Sequence, residues 1–506
     1  MELLSRQMVK DGLIPAGVRA DLFDHLPVRA VQMGEGNFLR AFTCWMINEM
    51  NARGVFNGSI AVIQPRPGGR IEDLKKQDCL YTLLTRGLSG GRLVDEKEII
   101  SSISAAVDPY KNWNAYCALA RTETVRLFIS NTTESGIVYS YEKKPEGASP
   151  LSFPAKAAAF LYERFTAFNG SPDRGLIFLP CELIDTNGTV LKEIILRHAQ
   201  DWNLGDSFSA WVNTHNIFLN TLVDRIVPGY PKDEADAIEK TLGYKDVYLD
   251  AAEAYHVWVL EGDGSLHEEL PFAEAGLNVL WTENLSVYRT RKVKVLNGLH
   301  TMSVLASFLA GNDTVRESIE HPVIGEYMRK GVFNEILPTI DMDAQERRQF
   351  AEEVLERFRN PFMKHYCLSI ALNSVSKFKV RVLPSILDYY AMNGTAPRIL
   401  SFSLAALIAF YRIDAIEGET FSGSRDGRPY PVKDDAAICR FFADAWHAFS
   451  ISHSTQVLVK NILSQYACWG TDLSLNTSLM RAVTVSLDDI LQYGMIEAVK
   501  LSTAEY

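Results

Sequence analysis

The chain has 506 residues and a formal net charge of −11, and 47% of its residues are hydrophobic while 22% are charged. This length is more than one hydrophobic core usually organises, so two domains are expected. The acidic balance argues against a nucleic-acid partner, because phosphate binding needs a basic surface, whereas a small anionic substrate needs only a local cationic pocket.

The chain carries no pattern of a membrane, secreted or metal-binding protein. Its longest apolar run, residues 404–410, is too short to cross a bilayer and predicts a buried helix. The N-terminal segment MELLSRQMVKDG lacks the sustained apolar stretch of a secretory signal. The seven cysteines are scattered, with no Cys-x-x-Cys pair and no zinc spacing. We therefore expect a cytoplasmic protein with free thiols and no bound metal.

The first half alternates short apolar segments with helical ones, which is typical of an α/β domain with a mostly parallel sheet. Strands are predicted at residues 29–33, 59–63, 125–130 and 176–180, helices at 37–50 and 155–168, and a surface excursion at 228–246. From about residue 287 helical periodicity dominates, over 292–310, 344–357, 361–378 and 401–411. We expect a Rossmann-like dinucleotide-binding domain over residues 1–282 and a mostly α-helical substrate-binding domain over 283–506.

A glycine turn follows the first predicted strand and precedes a helix. Such a turn lets backbone N–H groups approach a pyrophosphate at the positive end of the helix. The third glycine of the usual G-x-G-x-x-G is absent, with Leu39 in its place, so the spacing alone fits an ordinary strand-to-helix turn equally well. The position in the first βα unit favours a dinucleotide. The candidate contacts are Gln32, Met33, Gly34, Glu35, Gly36, Asn37, Phe38 and Arg40.

Two further segments bear on the cofactor. The second predicted strand is followed by Gln64-Pro65-Arg66, with no acidic residue to bind the ribose of NAD, and Arg66 would suit a 2′-phosphate. The residues alone therefore leave NAD and NADP open. Thr133 and Glu134 follow the strand at 125–130, where open α/β sheets place ligand contacts, although they would serve equally as a helix cap.

The strongest candidate for chemistry is the group Lys292, Asn297 and His300. With about 100° per helical residue, His300 lies about 80° and Asn297 about 140° from Lys292, so the three share one face. Ketone reduction needs a proton donor and neutral hydrogen-bonding groups around the oxygen. Lys294 is also eligible by this geometry, about 60° beyond Asn297. The alternative is a solvated basic helix face that includes Arg291.

Two other charged groups have open interpretations. Lys377, close to Lys379 and Arg381, would bind a substrate carboxylate or lie at a solvated helix end. Asp224 and Arg225 would form a buried structural ion pair or belong to the substrate site.

Taken together, these motifs resemble the mannitol dehydrogenase family of long-chain polyol dehydrogenases, over nearly the whole chain. The residues that carry the resemblance are Gly34-x-Gly36-x-Phe38-x-Arg40-Ala41, Thr133-Glu134, Val223-Asp224-Arg225-Ile226-x-Pro228 and Lys292-x4-Asn297-x2-His300. The resemblance implies that Lys292 is the general acid/base, that Asn297 and His300 hold the reacting oxygen and a neighbouring hydroxyl, and that Lys377 is a further substrate-site residue. It also implies that the glycine turn binds NAD.

Three departures from the family pattern point to one of its branches. Leu183 replaces an asparagine that helps hold the alkoxide, Ser369 stands where an arginine is expected, and Leu39 stands where a histidine is frequent. Asn297 and His300 must then carry more of the oxyanion role. The departures resemble the branch that reduces D-tagaturonate to D-altronate in hexuronate catabolism. This implies a sugar-acid substrate as the partner, with a fructuronate reductase, a plain polyol dehydrogenase or a dinucleotide-responsive sensor as alternatives.

Overall fold

The computed structural model of the protein describes residues 1–133 and 135–504. The chain divides into two compact units, Met1–Leu285 and Ser286–Tyr506. None of the helices in the described ranges is long and apolar enough to cross a membrane.

The first unit combines helices of three to fifteen residues with strands of two to nine residues. Its strands are β1 Val28–Met33, β2 Ser59–Ile63, β3 Tyr81–Ser89, β4 Arg92–Ile100, β5 Ile103–Val107, β6 Leu127–Ser130, β7 Ile177–Pro180, β8 Ile217–Phe218, β9 Thr221–Asp224, β10 Asp250–Glu253, β11 Val257–Glu261 and β12 Val279–Thr282. Its helices are α1 Arg6–Lys10, α2 Asn37–Leu39, α3 Trp45–Ala52, α4 Ile71–Lys76, α5 Trp113–Ala120, α6 Phe153–Ala167, α7 Asn187–Asp201, α8 Asp206–His215 and α9 Ala235–Leu242. A π-helical turn, Arg40–Cys44, joins α2 to α3, and a 3-10 turn spans Pro172–Arg174.

Six of these strands form one parallel sheet in the order β5-β2-β1-β6-β7-β8. Numbered along the chain, this is the 3-2-1-4-5-6 order of the Rossmann fold. The order reverses between β1 and β6, and a ligand crevice is expected outside the carboxyl ends of the strands at that point. The predicted α/β architecture is therefore confirmed.

The sheet is covered on both faces, which explains why its strands were predictable. Along β1, Ala30 packs into one apolar cluster and Val31 and Met33 into another. Every residue of β2 is buried. Strands buried on both faces appear in a sequence as continuous apolar runs, and the four predicted strands agree with the structure to within two residues at each end.

The predicted surface excursion at 228–246 is wrong. The segment contains α9, whose residues Ile238 and Leu242 are buried together with Tyr244 against the N-terminal segment and β3. Asp246 at its end is fully buried. Charged residues such as Asp236 and Lys240 lie on the outer face of an amphipathic helix, while apolar residues three and four positions apart face inward.

The second unit is mostly helical, as predicted. Its helices are α10 Leu285–Lys292, α11 Gly298–Leu309, α12 Val315–Glu320, α13 Pro322–Lys330, α14 Ala344–Phe358, α15 Cys367–Ile370, α16 Ser374–Arg381, α17 Leu383–Asn393, α18 Arg398–Phe410, α19 Ala436–Ser452, α20 Thr455–Leu463, α21 Tyr466–Trp469, α22 Thr477–Tyr493 and α23 Met495–Thr503. π-helical turns span Val293–Asn297 and Gly331–Ile336, and 3-10 turns span Leu337–Thr339 and Leu473–Leu475. A small antiparallel sheet consists of β13 Ala415–Glu417, β14 Thr420–Arg425 and β15 Arg428–Val432.

Two helices form the centre of this unit. In α11 and α18 nearly every residue is buried, so they are apolar all round, as expected of helices surrounded by others. The carboxylate of the fully buried Glu335 accepts hydrogen bonds from the backbone N–H groups of Ile399 and Leu400 at 2.8 and 2.7 Å, which satisfies the start of α18. The predicted single helix at 361–378 is wrong, because Asn373 with φ 54° separates α15 from α16.

Candidate functional site

The glycine turn lies at the carboxyl end of β1, where the strand order reverses. Gly34 has φ +116°, a conformation that L side chains rarely adopt, and its N–H donates to the carbonyl of Ile63 at 2.9 Å. Gly36 immediately precedes α2, and no atom lies within 4 Å of a Cβ built on it. The start of this helical segment is therefore open to the backbone approach of a phosphate group, which fits a dinucleotide pyrophosphate.

Arg40 stabilises the turn through hydrogen bonds to two of its residues. Its guanidinium donates to the carbonyl of Glu35 at 2.6 Å and to Oδ1 of Asn37 at 3.0 Å, and lies 3.3 Å from the carboxylate of Asp250. The hydroxyl of Tyr81 donates to the carbonyl of Arg40 at 2.6 Å. Arg40 and Asp250 are both buried, and burial raises the pKa of the Asp250 carboxyl to about 7. The small sheet β10-β3-β4 thus braces the turn through Tyr81 and Asp250.

The side chains of three predicted cofactor contacts, Gln32, Met33 and Phe38, pack within the first unit, and their role in binding the cofactor stays a prediction. The side chain of Gln32 is fully buried, donates to the carbonyl of Gly34 at 2.8 Å and accepts from the hydroxyl of Thr43 at 2.7 Å. Met33 is fully buried, and the ring of Phe38 stacks on Phe42 with centroids 4.9 Å apart.

A cavity of about 570 Å³ opens beside the turn. It is lined by Glu35, Asn37 and Arg40 from the turn, by Gly69 and Arg70 from the loop after β2, and by Tyr248. Arg66, which the sequence left as a possible phosphate ligand, is exposed. Gln64 is committed to its own loop, because its amide donates to the carbonyl of Arg66 at 3.0 Å.

The loop after β6 is tied to the loop after β7 by a buried residue that the sequence analysis did not single out. Glu182 accepts hydrogen bonds from the backbone N–H and hydroxyl of Thr132 at 2.8 and 3.0 Å, and from the hydroxyl of Ser130 at 3.1 Å. Burial raises the pKa of the Glu182 carboxyl. Thr133 is exposed with φ 72°, whereas Glu134 lies outside the described residues. Glu182 lies two residues after the end of β7, and this position near a strand end is the signal that could have identified it.

Asp224 is the last residue of β9, and Arg225 follows it in the interior of the first unit. Both side chains are 5% exposed. The guanidinium of Arg225 donates to the carbonyls of Glu253, at 3.0 Å, and of Ala41. It also lies over the ring of Trp45 at 4.2 Å. These contacts give Arg225 a structural role behind the turn. Leu183, where the resemblance implies an asparagine, is 59% exposed.

In the second unit, Lys292, Asn297 and His300 lie on one continuous helical segment from α10 to α11. The segment includes the π-helical turn Val293–Asn297, in which the N–H of Gly298 donates to the carbonyl five residues earlier, at Val293. The uniform 100° spacing assumed from the sequence is therefore wrong here. In a π turn the hydrogen bonds join residues five apart, so the angle between Lys292 and Asn297 differs from the value expected of a regular α-helix. π turns inside α-helices are frequent at functional sites.

His300 is the most enclosed of the three. Its ring stacks on Phe358 with centroids 4.1 Å apart and meets the edge of His365 at 5.0 Å. Burial, reinforced by the charges of Arg357, Arg381 and Lys377, lowers the pKa of His300 well below its ordinary value, so the imidazole is neutral. Its Nε2 atom is buried, and no hydrogen-bond partner for it is found in residues 1–133 and 135–504. It is available to a bound oxygen.

The two eligible lysines differ in their surroundings. The ammonium group of Lys294 is buried and donates to the carbonyl of Thr339 at 3.0 Å and to the carboxylate of Asp388 at 2.6 Å. These contacts give the Lys294 ammonium group a structural role. Lys292 is only half-buried. Lys377 is also half-buried, donates to the carbonyl of Ile370 at 2.8 Å, and has its pKa lowered by burial and by Arg381.

The described residues contain no group of His, Cys, Asp and Glu side chains that would hold a metal ion. All seven cysteines are free thiols. The chemistry of the two sites is therefore built from a glycine turn in the first unit and from an ammonium, an amide and a neutral imidazole in the second.

Comparisons with known proteins identify the family. Residues 28–273 match the mannitol dehydrogenase Rossmann domain, and residues 284–491 match the mannitol dehydrogenase C-terminal domain. The chain is 43% identical to an altronate oxidoreductase of Halalkalibacterium halodurans, covering 94% of this chain and 93% of that protein. It is 41% identical to an altronate oxidoreductase of Bacillus subtilis, covering 95% and 97%. A structure of Pseudomonas fluorescens mannitol 2-dehydrogenase with NAD and D-mannitol has a TM-score of 0.68 at 19% identity, over 100% of both chains. The chain belongs to the mannitol dehydrogenase family.

Proposed function

We propose that the protein is an NAD-dependent oxidoreductase that reversibly reduces D-tagaturonate to D-altronate. The observation that carries the proposal is the likeness at 41–43% identity, over almost the entire chain, to proteins named altronate oxidoreductase. The replacements at Leu183, Ser369 and Leu39 agree with a substrate that differs from a plain polyol.

The first unit supplies the cofactor site. The open space at Gly36, the left-handed Gly34 and the start of the helical segment at Asn37 fit the pyrophosphate of a dinucleotide. NADH, when bound, supplies the hydride for the keto carbon. Thr133 follows β6, the strand beside β1 at the reversal, and contributes to the same crevice from the opposite loop.

The second unit supplies the acid and the hydrogen-bonding groups. Lys292 donates the proton that the reduced oxygen requires, and takes it back in the reverse reaction. Asn297 and the neutral His300 donate hydrogen bonds to this oxygen or to a neighbouring hydroxyl, where negative charge develops. A neutral imidazole suits this role, since it adds no competing acid. Lys377 contributes a positive charge for the carboxylate end of the sugar acid.

The test is the rate of NADH oxidation with a panel of D-tagaturonate, D-fructuronate and D-fructose. We expect kcat/KM for tagaturonate to exceed that for each of the other two by at least tenfold. Preference for fructuronate or fructose would replace the proposed substrate while retaining the reaction type. Binding of NADH without turnover of any of the three would instead indicate a sensor.

A further inference from the structure

The cavity beside the glycine turn is where the adenosine ribose of a dinucleotide would bind. In Rossmann domains that use NAD, an acidic residue after the second strand accepts hydrogen bonds from the ribose hydroxyls. Here that position is Gln64, whose amide is bonded to the carbonyl of Arg66. The usual acceptor is therefore absent, although the loop after β2 still borders the cavity through Gly69 and Arg70.

We propose that Glu35, the middle residue of the Gly34-Glu35-Gly36 turn, supplies the missing carboxylate and makes the site select NAD over NADP. This inference rests on the proposed cofactor site. Glu35 lines the same cavity as Gly69 and Arg70, so its side chain stands between the turn and the loop after β2. That is where the adenosine ribose of a dinucleotide lies when the pyrophosphate is held at the turn.

The environment of the carboxylate matches this role. Its Oε2 atom is buried, and among residues 1–133 and 135–504 it has no hydrogen-bond partner. The groups that surround Glu35 are otherwise committed: Arg40 donates to the backbone carbonyl of Glu35, and Asp108 accepts from the N–H of Tyr110 at 3.0 Å. Burial raises the pKa of the Glu35 carboxyl, and a hydrogen bond from its own backbone N–H and the charge of Arg40 offset this rise only in part.

The two ribose types differ in what they offer this atom. A 2′-hydroxyl and 3′-hydroxyl are donors and satisfy the buried oxygen. A 2′-phosphate has only acceptor oxygens in its ionised form, so it leaves the oxygen unsatisfied and adds like charge. The three cations that line the cavity in the described part of the chain do not offset this. Arg40 is bonded to the turn and lies beside Asp250. Arg70 is largely exposed and donates to Asp73 at 3.2 Å. Lys245 is exposed to solvent.

The experiment measures dissociation constants of NADH and NADPH by quenching of protein fluorescence, for the wild type and for Glu35→Gln. We expect the wild type to bind NADH more tightly than NADPH, and the variant to reduce that ratio at least tenfold, since an amide can donate to a phosphate. Glu72→Gln is the matched control. Glu72 lies on α4 near the same loop but pairs with Lys75 at the surface, so its variant should keep the wild-type ratio.

The outcomes separate this inference from the proposed function. Wild-type protein that binds neither nucleotide overturns the cofactor site itself. Wild-type preference for NADH that persists unchanged in Glu35→Gln overturns only the role of Glu35. If Glu35→Gln unfolds, Glu35→Ala is measured in its place, with the same expected loss of discrimination, and far-UV circular dichroism verifies its fold.

Discussion

The neutral state of His300 is set by its surroundings rather than by its residue type. Its ring is buried between Phe358 and His365, and positive charges lie nearby. Desolvation and like charges both disfavour the imidazolium. A histidine on a surface helix would instead titrate near its ordinary pKa of about 6.5.

From this we predict that His300 contributes no ionisation to the pH dependence of the reaction above pH 6. His300→Ala should lower kcat by roughly 10²-fold, the scale of losing one donor to a developing oxyanion. The shape of the kcat/KM profile between pH 6 and pH 8 should stay unchanged. A break near pH 6.5 that disappears in the variant would show that the imidazole titrates there, contrary to its burial.

At the scale of elements, the two glycines of the glycine turn are needed for different reasons. Gly34 needs glycine for its backbone angle, whereas Gly36 has an ordinary φ of −65° and open space around its Cα. We predict that Gly34→Ala costs about 1–3 kcal/mol of folding stability through backbone strain. Gly36→Ala should leave stability within about 0.5 kcal/mol, the range for sites without strain or burial.

Binding tells the two variants apart. Because the added methyl group of Gly36→Ala occupies the space assigned to the pyrophosphate, this variant should bind NADH at least tenfold more weakly. Urea denaturation and fluorescence titration measure the two quantities. Unchanged NADH affinity in a stable Gly36→Ala protein would place the pyrophosphate elsewhere.

The support of the turn by Asp250 has a consequence for the pH dependence of stability. Burial raises the pKa of Asp250 to about 7, against about 3.9 in an unfolded chain. Between these values the folded protein holds the proton more tightly, so this residue lowers stability as the pH rises. Asp250→Asn lacks this dependence. Its stability relative to the wild type should therefore increase by about 2–3 kcal/mol from pH 5 to pH 8.

Denaturant unfolding at the two pH values measures this difference. The Asp73→Asn change on α4 serves as the control, since this half-buried carboxylate pairs with the exposed cations Arg70 and Lys76 and has no contact with Asp250 among those found in residues 1–133 and 135–504. A stability difference between Asp250→Asn and the wild type that stays constant with pH would mean that Asp250 is already ionised in the folded protein at pH 5.

The sequence predicted the elements that have a clear hydrophobic pattern, and it did not predict features that leave no such pattern. Strands buried on both faces, such as β2, and the fully buried α18 stand out as apolar runs. The interruption of the second unit's long helix by a π turn at Val293–Asn297 leaves no such signature. Nor could residues far apart in the chain, such as Arg40 and Asp250, be paired from sequence, because their contact depends on the packing of β10 against the turn.

Across the whole molecule, the family and the reaction class follow from motifs spread over both units. The glycine turn alone fits many strand-to-helix connections, and the lysine group alone fits a solvated helix face. The resemblance to the mannitol dehydrogenase family depended on finding both motifs in one chain and in this order. The comparisons confirm that family. The roles of Lys292, Asn297, His300, Lys377 and Asp224 stay predictions.

The central claim is that Lys292 is the acid of an NADH-dependent reduction of tagaturonate, and its most direct test is the turnover of two lysine variants. In single-turnover and steady-state measurements with tagaturonate and NADH, Lys292→Ala should lose about two to four decades of kcat, the scale of a positioned acid/base. NADH affinity should change little. Lys294→Ala should lose stability, because it leaves Asp388 without its ammonium partner, but keep kcat within a few-fold. An active Lys292→Ala enzyme, or a folded Lys294→Ala enzyme without turnover, would contradict the account.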